Sequence, residues 1–407
     1  MTSAQARLVS RVANDTFGHS RRLLPAQPWW HNLDPSFHKF PDDFYLDLKT
    51  QAMVGATAAV DVGMRTAAAG LALTMGLPTL PLMLKKDRAQ WGFYKALANE
   101  HDAPRSFPRP RQAVEVRKHK PHLLEYRPPE GTVEVLSFES RFQAVNPEMR
   151  EHYARFRRNR IAWAEHWRHD GAPRPTICLI HGYVADPYWV NSRFLALPWF
   201  YKMGYNVLLY TLPFHGRRKE WFAPVSGHGV FSYGLSHINE TVAHAVHDFR
   251  LFLDYLEATG VPQFGVTGIS LGGYTTALLA AVEDRLAFAV PNVPVASLVD
   301  LVLEWFPAAP VFKAALRLSG TSIQEARHAS AMGNPLTYDP LLPKERLMIV
   351  GGAGDRFAPP KHTRLIWDHW NHPRLHWFPG NHLIHLDQGR YLREMARFLR
   401  DIGFDRG

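Results

Sequence analysis

The sequence predicts an α/β protein: a mainly parallel, doubly wound sheet with helices on both faces, a helical insertion and a mostly helical N-terminal extension. Three observations predict it. From residue 131 onward, short apolar runs alternate with helical segments of about 12 residues or more, the pattern of strands joined by crossover helices. The run PTICLIHGY is continuously apolar and ends in a turn, as a strand buried on both faces does. Residues 1–128 lack this alternation and hold aromatic patches, a small-residue stretch and a Pro- and Arg-rich connector. At 407 residues the chain is long enough for one large α/β domain with an appendage. We divide it into an accessory region and linker (1–128) and an α/β domain (129–407).

The elements follow in order. Aromatics at Trp29, Trp30, Phe37, Phe40, Phe44 and Tyr45 precede a small-residue helix, and the stretch from Pro104 to Pro121 reads as an extended linker because its prolines resist helix formation. GTVEVLSFES reads as a strand. NPEMREHYARFRRNRIAWAEHWRHDG reads as one helix, with Asn146 as N-cap and Pro147 in its first position. PTICLI is the next strand, VNSRFLALPWFYKMG a helix closed by Gly204, and YNVLLYTLPFHG a strand. SHINETVAHAVHDFRLFLDYLEATG is a helix capped by Ser236 and stopped by Gly260. The remainder alternates: QFGVTGIS (strand), LGGYTTALLAAVED (helix), LAFAVPNVPV (strand), RLMIVGGAGD (strand), PKHTRLIWDHWN (helix), RLHWFPGNH (strand) and DQGRYLREMARFLRDIGF (helix). Ligands of such sheets bind at the carboxyl ends of the strands.

Composition excludes several classes. One cysteine, Cys178, rules out an intrachain disulfide framework and a Cys-only zinc site. The net charge of +10 lies mostly in residues 1–175, which hold 26 Lys/Arg against 18 Asp/Glu. No nucleic-acid-binding signature accompanies it, so a solvated basic surface is the expectation and nucleic acid is not an expected partner. The first 22 residues lack the apolar core of a secretory signal, which points to a cytoplasmic protein. Thr66–Leu84 carries no charge, but Pro78 and Pro81 interrupt it, and Asp61 and Arg65 stand just upstream. We read it as a buried helix that ends near Pro78 and packs on the α/β domain. Peripheral membrane contact through residues 66–88, with Lys85, Lys86 and Arg88 as a basic edge, is the alternative.

Chemistry concentrates in the strand-end loops. Gly268-Ile269-Ser270-Leu271-Gly272 lies between a strand and a helix. There a serine sits on a sharp turn, its neighbours must be small, and the helix amino terminus adds unpaired N–H groups and a positive dipole end. A serine N-cap in a glycine-rich turn is the competing explanation of this motif alone. Three further pieces follow strands: His181-Gly182-Tyr183, Asp355 after LMIVGGAG, and Pro379-Gly380-Asn381-His382. With these motifs in the order Ser, Asp, His, residues 131–407 resemble the α/β-hydrolase superfamily of serine hydrolases. The resemblance implies Ser270 as nucleophile, His382 as base, Asp355 as its orienting acid, and backbone N–H groups of Leu271 and Tyr183 as the oxyanion hole. Asp300 and Asp339 remain rivals for the acid, and His385 for the base. Residues 1–128 lie outside the resemblance.

Tyr188, Trp189, Phe214 and His215 follow the strands nearest the HG turn and are candidate pocket residues. The loop from Leu212 to Arg218 departs from the family pattern, since Thr211 stands where an acid is usual and Phe214 where glycine is usual. Arg217 and Arg218 would meet an acidic substrate or solvent. The apolar insertion at about 296–340 resembles the family's lids, with Trp305 and Phe306 as lid aromatics. The expected activity is hydrolysis of an apolar small-molecule ester, lactone or thioester through an acyl-enzyme, with no cofactor and no metal. A peptidase or amidase on the same triad and a non-catalytic binding protein of this fold are the alternatives. A metal-dependent hydrolase using His372, His376, His382, His385 and Asp387 lacks an H-E-x-x-H motif.

Overall fold

The structure, a computed structural model, describes residues 27–404 apart from 42–50, 53, 56–58, 60, 64, 67–69, 71–79, 126, 129, 185–187 and 383–387. Among these residues nine strands form one sheet: β1 (Arg117–His119), β2 (Thr132–Glu139), β3 (Ile161–Arg168), β4 (Thr176–Ile180), β5 (Asn206–Tyr210), β6 (Phe264–Ile269), β7 (Ala289–Asn292), β8 (Met348–Gly352) and β9 (Arg374–Phe378). Their spatial order is β1-β2-β3-β5-β4-β6-β7-β8-β9. The pairs β1–β2, β2–β3 and β3–β5 are antiparallel, and every pair from β5 to β9 is parallel.

Side chains alternate across the sheet, and the two faces have separate cores. Cys178, Ile180, Leu208 and Tyr210 point to one side, where helices Leu235–Ala258 and Leu271–Val282 cover them. Ile177, Leu179, Val207 and Leu209 point to the other, against Leu197–Lys202 and Gln388–Asp401. All five residues of β4 are buried, as its unbroken apolar run requires.

Segment 146–171 differs from the single helix expected. Asn146 does cap, accepting from the Glu148 N–H, but only a short turn (Pro147–Met149) and the helix Arg150–Ala154 follow. Ile161–Arg168 is β3, paired along its whole length with β2 and over four residues with β5. Two neighbouring strands supply more than the local helix propensity of IAWAEHWR can offset. The next helical segment is broken at Ala196, whose φ is +56°. Ser236 does not cap the long helix, which begins at Leu235.

The cap comes instead from the accessory region. Asp87 ends the helix Leu80–Asp87, and its Oδ2 accepts from the N–H groups of Leu235 (2.7 Å) and Ser236 (3.3 Å) and from the Trp91 indole (2.8 Å). In the following helix, Trp91–Glu100, Tyr94 donates to Glu240 Oε1 at 2.6 Å. Leu84, Trp91, Tyr94, Leu97 and Phe107 belong to the same core as the long helix. The connector expected to be an extended linker carries two short elements, the helix Ala103–Ser106 and the edge strand β1 (Arg117–His119), with no regular structure over 107–116 between them. Of the small-residue stretch, Thr66 and Gly70 are helical, while 67–69 and 71–79 lie outside the described residues. No helix among the described residues is long and apolar enough to cross a membrane.

The insertion forms helices Leu298–Glu304, Ala308–Leu318 and Ile323–Ala329. The first described N-terminal residues are packed against it. Trp30, fully buried, stacks on His328 with ring centroids 4.7 Å apart, and buried Arg327 donates to the carbonyls of Leu33 and Asp34.

Candidate active site

Ser270 follows β6 and precedes the helix Leu271–Val282. Its φ of +59° and ψ of −116° are strained for a residue with a side chain. Neighbouring backbone explains the glycines. A Cβ on Gly268 would lie 2.5 Å from the Gly272 carbonyl oxygen, and one on Gly272 would run into the carbonyls of Ile180 and His181. The turn is thereby pressed against the end of β4. Ser270 is pinned further by its own N–H, which donates to Asn292 O at 3.0 Å, and by its carbonyl, which accepts from Tyr274 N–H at 2.8 Å. Gly182, of the HG turn after β4, approaches it closely: a Cβ there would sit 3.3 Å from Ser270 Cβ.

Asp355 and His382 meet at the ends of β8 and β9. The imidazole Nδ1 and Asp355 Oδ2 are 2.7 Å apart, and both side chains are buried. Asp355 Oδ1 accepts from the N–H groups of Phe357 (2.9 Å) and Ala358 (2.8 Å), so the carboxylate is held at both oxygens. Burial disfavours the imidazolium, but the charge and hydrogen bond of Asp355, joined by the charge of Asp61, outweigh it and raise the His382 pKa above 6.5. Phe357 stacks on the imidazole at 4.7 Å and 25°, and Trp305 donates its indole N–H to the Phe357 carbonyl at 2.9 Å.

The rivals for the acid are placed elsewhere. Asp300 is fully buried and gripped by Arg327 at 2.6 and 3.0 Å, and Asp339 is exposed. His385 lies outside the described residues. His372 pairs with Asp368, and among the described residues no group of three or more His, Cys, Asp or Glu is arranged to hold a metal.

The candidate pocket residues divide. Tyr183 is half-buried, edge-on to Phe231 and His215, and burial pushes its phenol up to about 12. Leu271 is buried at the helix start. Tyr188 shares a 2.5 Å hydrogen bond with Thr211, the threonine that departs from the family pattern, and Trp189 is half-buried beside it in the helix Tyr188–Phe194. His215 is fully buried; its Nδ1 donates to Pro213 O and its Nε2 has no hydrogen-bond partner among the described residues. Phe214 is a correction: its ring packs with Tyr153, Phe156 and His237 in the core, because the chain turns at φ +64° and its N–H is drawn to Asn159 Oδ1. Arg218 is a second one. It is fully buried against Asp248 at 2.8 Å and meets neither solvent nor an open pocket, while Arg217 lies over the Trp163 ring. Trp305 is buried beside Phe357, whereas Phe306 is 65% exposed.

Two residues at the site escaped the sequence reading. Phe357 had a signal, since it stands two residues beyond the candidate acid. Asp61 stood in the accessory region, four residues before Arg65, with nothing in the α/β pattern to connect it to His382.

The sheet order, the strained serine turn and the Asp–His pair at the strand ends define an α/β-hydrolase fold. Residues 216–387, which include Ser270, Asp355 and His382, match the family described as "Serine hydrolase (FSH1)". Two uncharacterized proteins of Mycobacterium tuberculosis, from strains CDC 1551 / Oshkosh and H37Rv, are 31% identical over 220 residues, 52% of this chain and 50% of theirs. The chain thus spans about half the length of the curated relatives it matches. Among solved structures, an acetyl xylan esterase from Paenibacillus sp. R4 superposes with a TM-score of 0.53 at 14% identity, over 80% of this chain and 99% of that one. Acetyl xylan esterase 1 from Thermoanaerobacterium sp. JW/SL YS485 gives 0.51 at 16% identity, over 75% and 93%. At these identities the likeness is one of fold.

Proposed function

We propose that this chain is a serine hydrolase that cleaves carboxylic esters, lactones or thioesters through an acyl-enzyme. The observation that carries the reading is the buried 2.7 Å Asp355–His382 pair on the same strand-end rim as a strained serine turn. In the proposed reaction His382 takes the proton of the Ser270 hydroxyl as Oγ attacks the acyl carbon. The N–H groups of Leu271 and Tyr183 receive the oxyanion. The intermediate collapses by breaking the bond to the leaving oxygen or sulfur, which leaves with the proton from His382. Water, deprotonated by the same imidazole, then attacks the acyl-enzyme and frees the acid. Asp355 orients the imidazole and stabilises its charged form.

The experiment is covalent labelling. A fluorophosphonate probe is expected to modify the wild-type chain at Ser270 and to leave S270A unmodified. S270A is expected to fold normally and lose nearly all hydrolysis of nitrophenyl esters. S270A activity above a few per cent of wild type, or a wild-type chain inert to the probe and to every ester in a chain-length series, overturns the reading.

A further inference from the structure

The candidate base is held by two carboxylates, and one of them comes from the accessory region. Asp61 is fully buried, in a stretch whose described residues between 51 and 66 are helical. Its Oδ2 accepts two backbone hydrogen bonds: from Arg356, next to the candidate acid, at 3.0 Å, and from His382, the candidate base, at 2.9 Å. One oxygen thereby joins the loop after β8 to the loop after β9. Its other oxygen has no hydrogen-bond partner among the described residues.

Neighbouring contacts place the segment independently. Arg65, one turn on, donates to the Arg356 carbonyl at 2.9 Å. Val54, seven residues before Asp61, is buried against Gly354, where an added Cβ would strike both the Val54 side chain and the Gly380 carbonyl. Three contacts from described residues between 54 and 65 thus fall on the same two loops.

We propose that Asp61 is a positioning residue for the candidate base: it cross-links the acid and base loops through their backbones and sets a second negative charge beside the imidazole. This rests on the roles given above to Ser270, His382 and Asp355. Among the described residues, the charged groups of this corner are Asp355, His382, Arg65 and Arg356, with Glu304 acting on Arg65. Burial, and then the charge of Asp355, push the Asp61 pKa up, while the two backbone N–H groups favour its ionised form. A buried carboxylate beside another carboxylate is costly unless hydrogen bonds offset it, and the two backbone N–H groups supply them. Here what it holds is the backbone of the residue that must move a proton.

The test uses full-length D61N and D61A. Initial rates on p-nitrophenyl acetate and the rate of fluorophosphonate labelling are followed against pH, and melting temperature and circular dichroism report folding. D61N keeps an acceptor for the two N–H groups but removes the charge. Its acid limb is expected to move to lower pH in both the ester and the labelling profiles, with kcat near the plateau largely kept. D61A removes both, and its kcat is expected to fall about 10- to 100-fold with little change in KM. Wild-type kcat and an unmoved limb in both variants overturn the proposal. So does a loss in D61A that only tracks the folded fraction while the D61N limb stays in place. Should D61A fail to fold, the D61N limb decides. A wild-type chain that the probe does not label at Ser270 removes the triad reading and this proposal together. Labelled wild type with unmoved Asp61 variants removes this proposal alone.

Discussion

Ser270, Asp355 and His382 are buried side chains, and the carboxylates beside the imidazole govern how it responds to pH. To accept a proton the imidazole must be neutral, and its pKa is held above 6.5 by Asp355 and Asp61 against the opposing effect of burial. Activity on esters is therefore expected to be lost on the acid side, with a half-point above 6.5 in kcat/KM. D355N should lower kcat by about four orders of magnitude, since the tautomer is no longer held. Rates from a buffer series check both, and an acid limb below 6.5 would contradict the first. At this scale the backbone geometry was legible where one short motif dictates one turn. GISLGG specifies a turn that tolerates no side chain at Gly268 or Gly272, and Asp355 and His382 each follow a strand. Asp61 was not legible, because its partners are backbone N–H groups about 300 residues away, which leave no trace in local pattern.

Among the elements, the long helix Leu235–Ala258 shows how a plausible local reading can miss the cause. Its sequence offers Ser236 as a cap, yet Asp87 performs that task from another part of the chain. Gly234, at φ +97°, leaves room for it, since a Cβ there would sit 2.6 Å from the Asp87 carboxyl carbon. D87A strands the Leu235 N–H and the Trp91 indole at once, and should destabilise the fold by about 1–2 kcal/mol. Urea unfolding measures this; S236A, by contrast, should leave the midpoint close to wild type. Strand β3 was misread for a related reason. Its alternating Ala162 and Ala164 become a strand only between β2 and β5, and partners contributed by distant segments are invisible to a window of sequence. Where burial is complete on both faces, as in β4 and β6, the apolar run alone sufficed.

For the whole molecule, the accessory region and the α/β domain share the core on one face of the sheet, and the described residues include several buried titratable groups. Burial lowers the pKa of His166 to about 3, of His181 to about 4 and of His237 to about 3, and puts that of His215 well below 6.5. In the unfolded chain each binds a proton near 6.5, so the stability they contribute is present above that value and is lost as the pH falls below it. Glu165 and Glu240 act in the opposite sense. Burial raises them to about 8 and about 7, so their contribution is full below 4.5 and is lost as pH rises through the folded value. Between 4.5 and 6.5 these imidazoles outnumber the carboxyls, and stability should fall with acid. The urea midpoint is expected to be lower at about pH 5 than at about pH 7. An equal or higher midpoint would contradict it. The division at residue 128 followed a change of composition, but the sheet takes its edge strand from before that point. Composition marks where a pattern begins, and packing decides what belongs to the fold.

The Phe357 ring lies nearly flat against the His382 imidazole. A ring so placed shields the nuclei above its face, so the carbon-bound protons of this histidine should resonate upfield of those of an ordinary buried histidine. It also closes one side of the heterocycle to reagents such as diethyl pyrocarbonate. The chain thus carries a spectroscopic and chemical signature of this corner that can be read without any assay of activity.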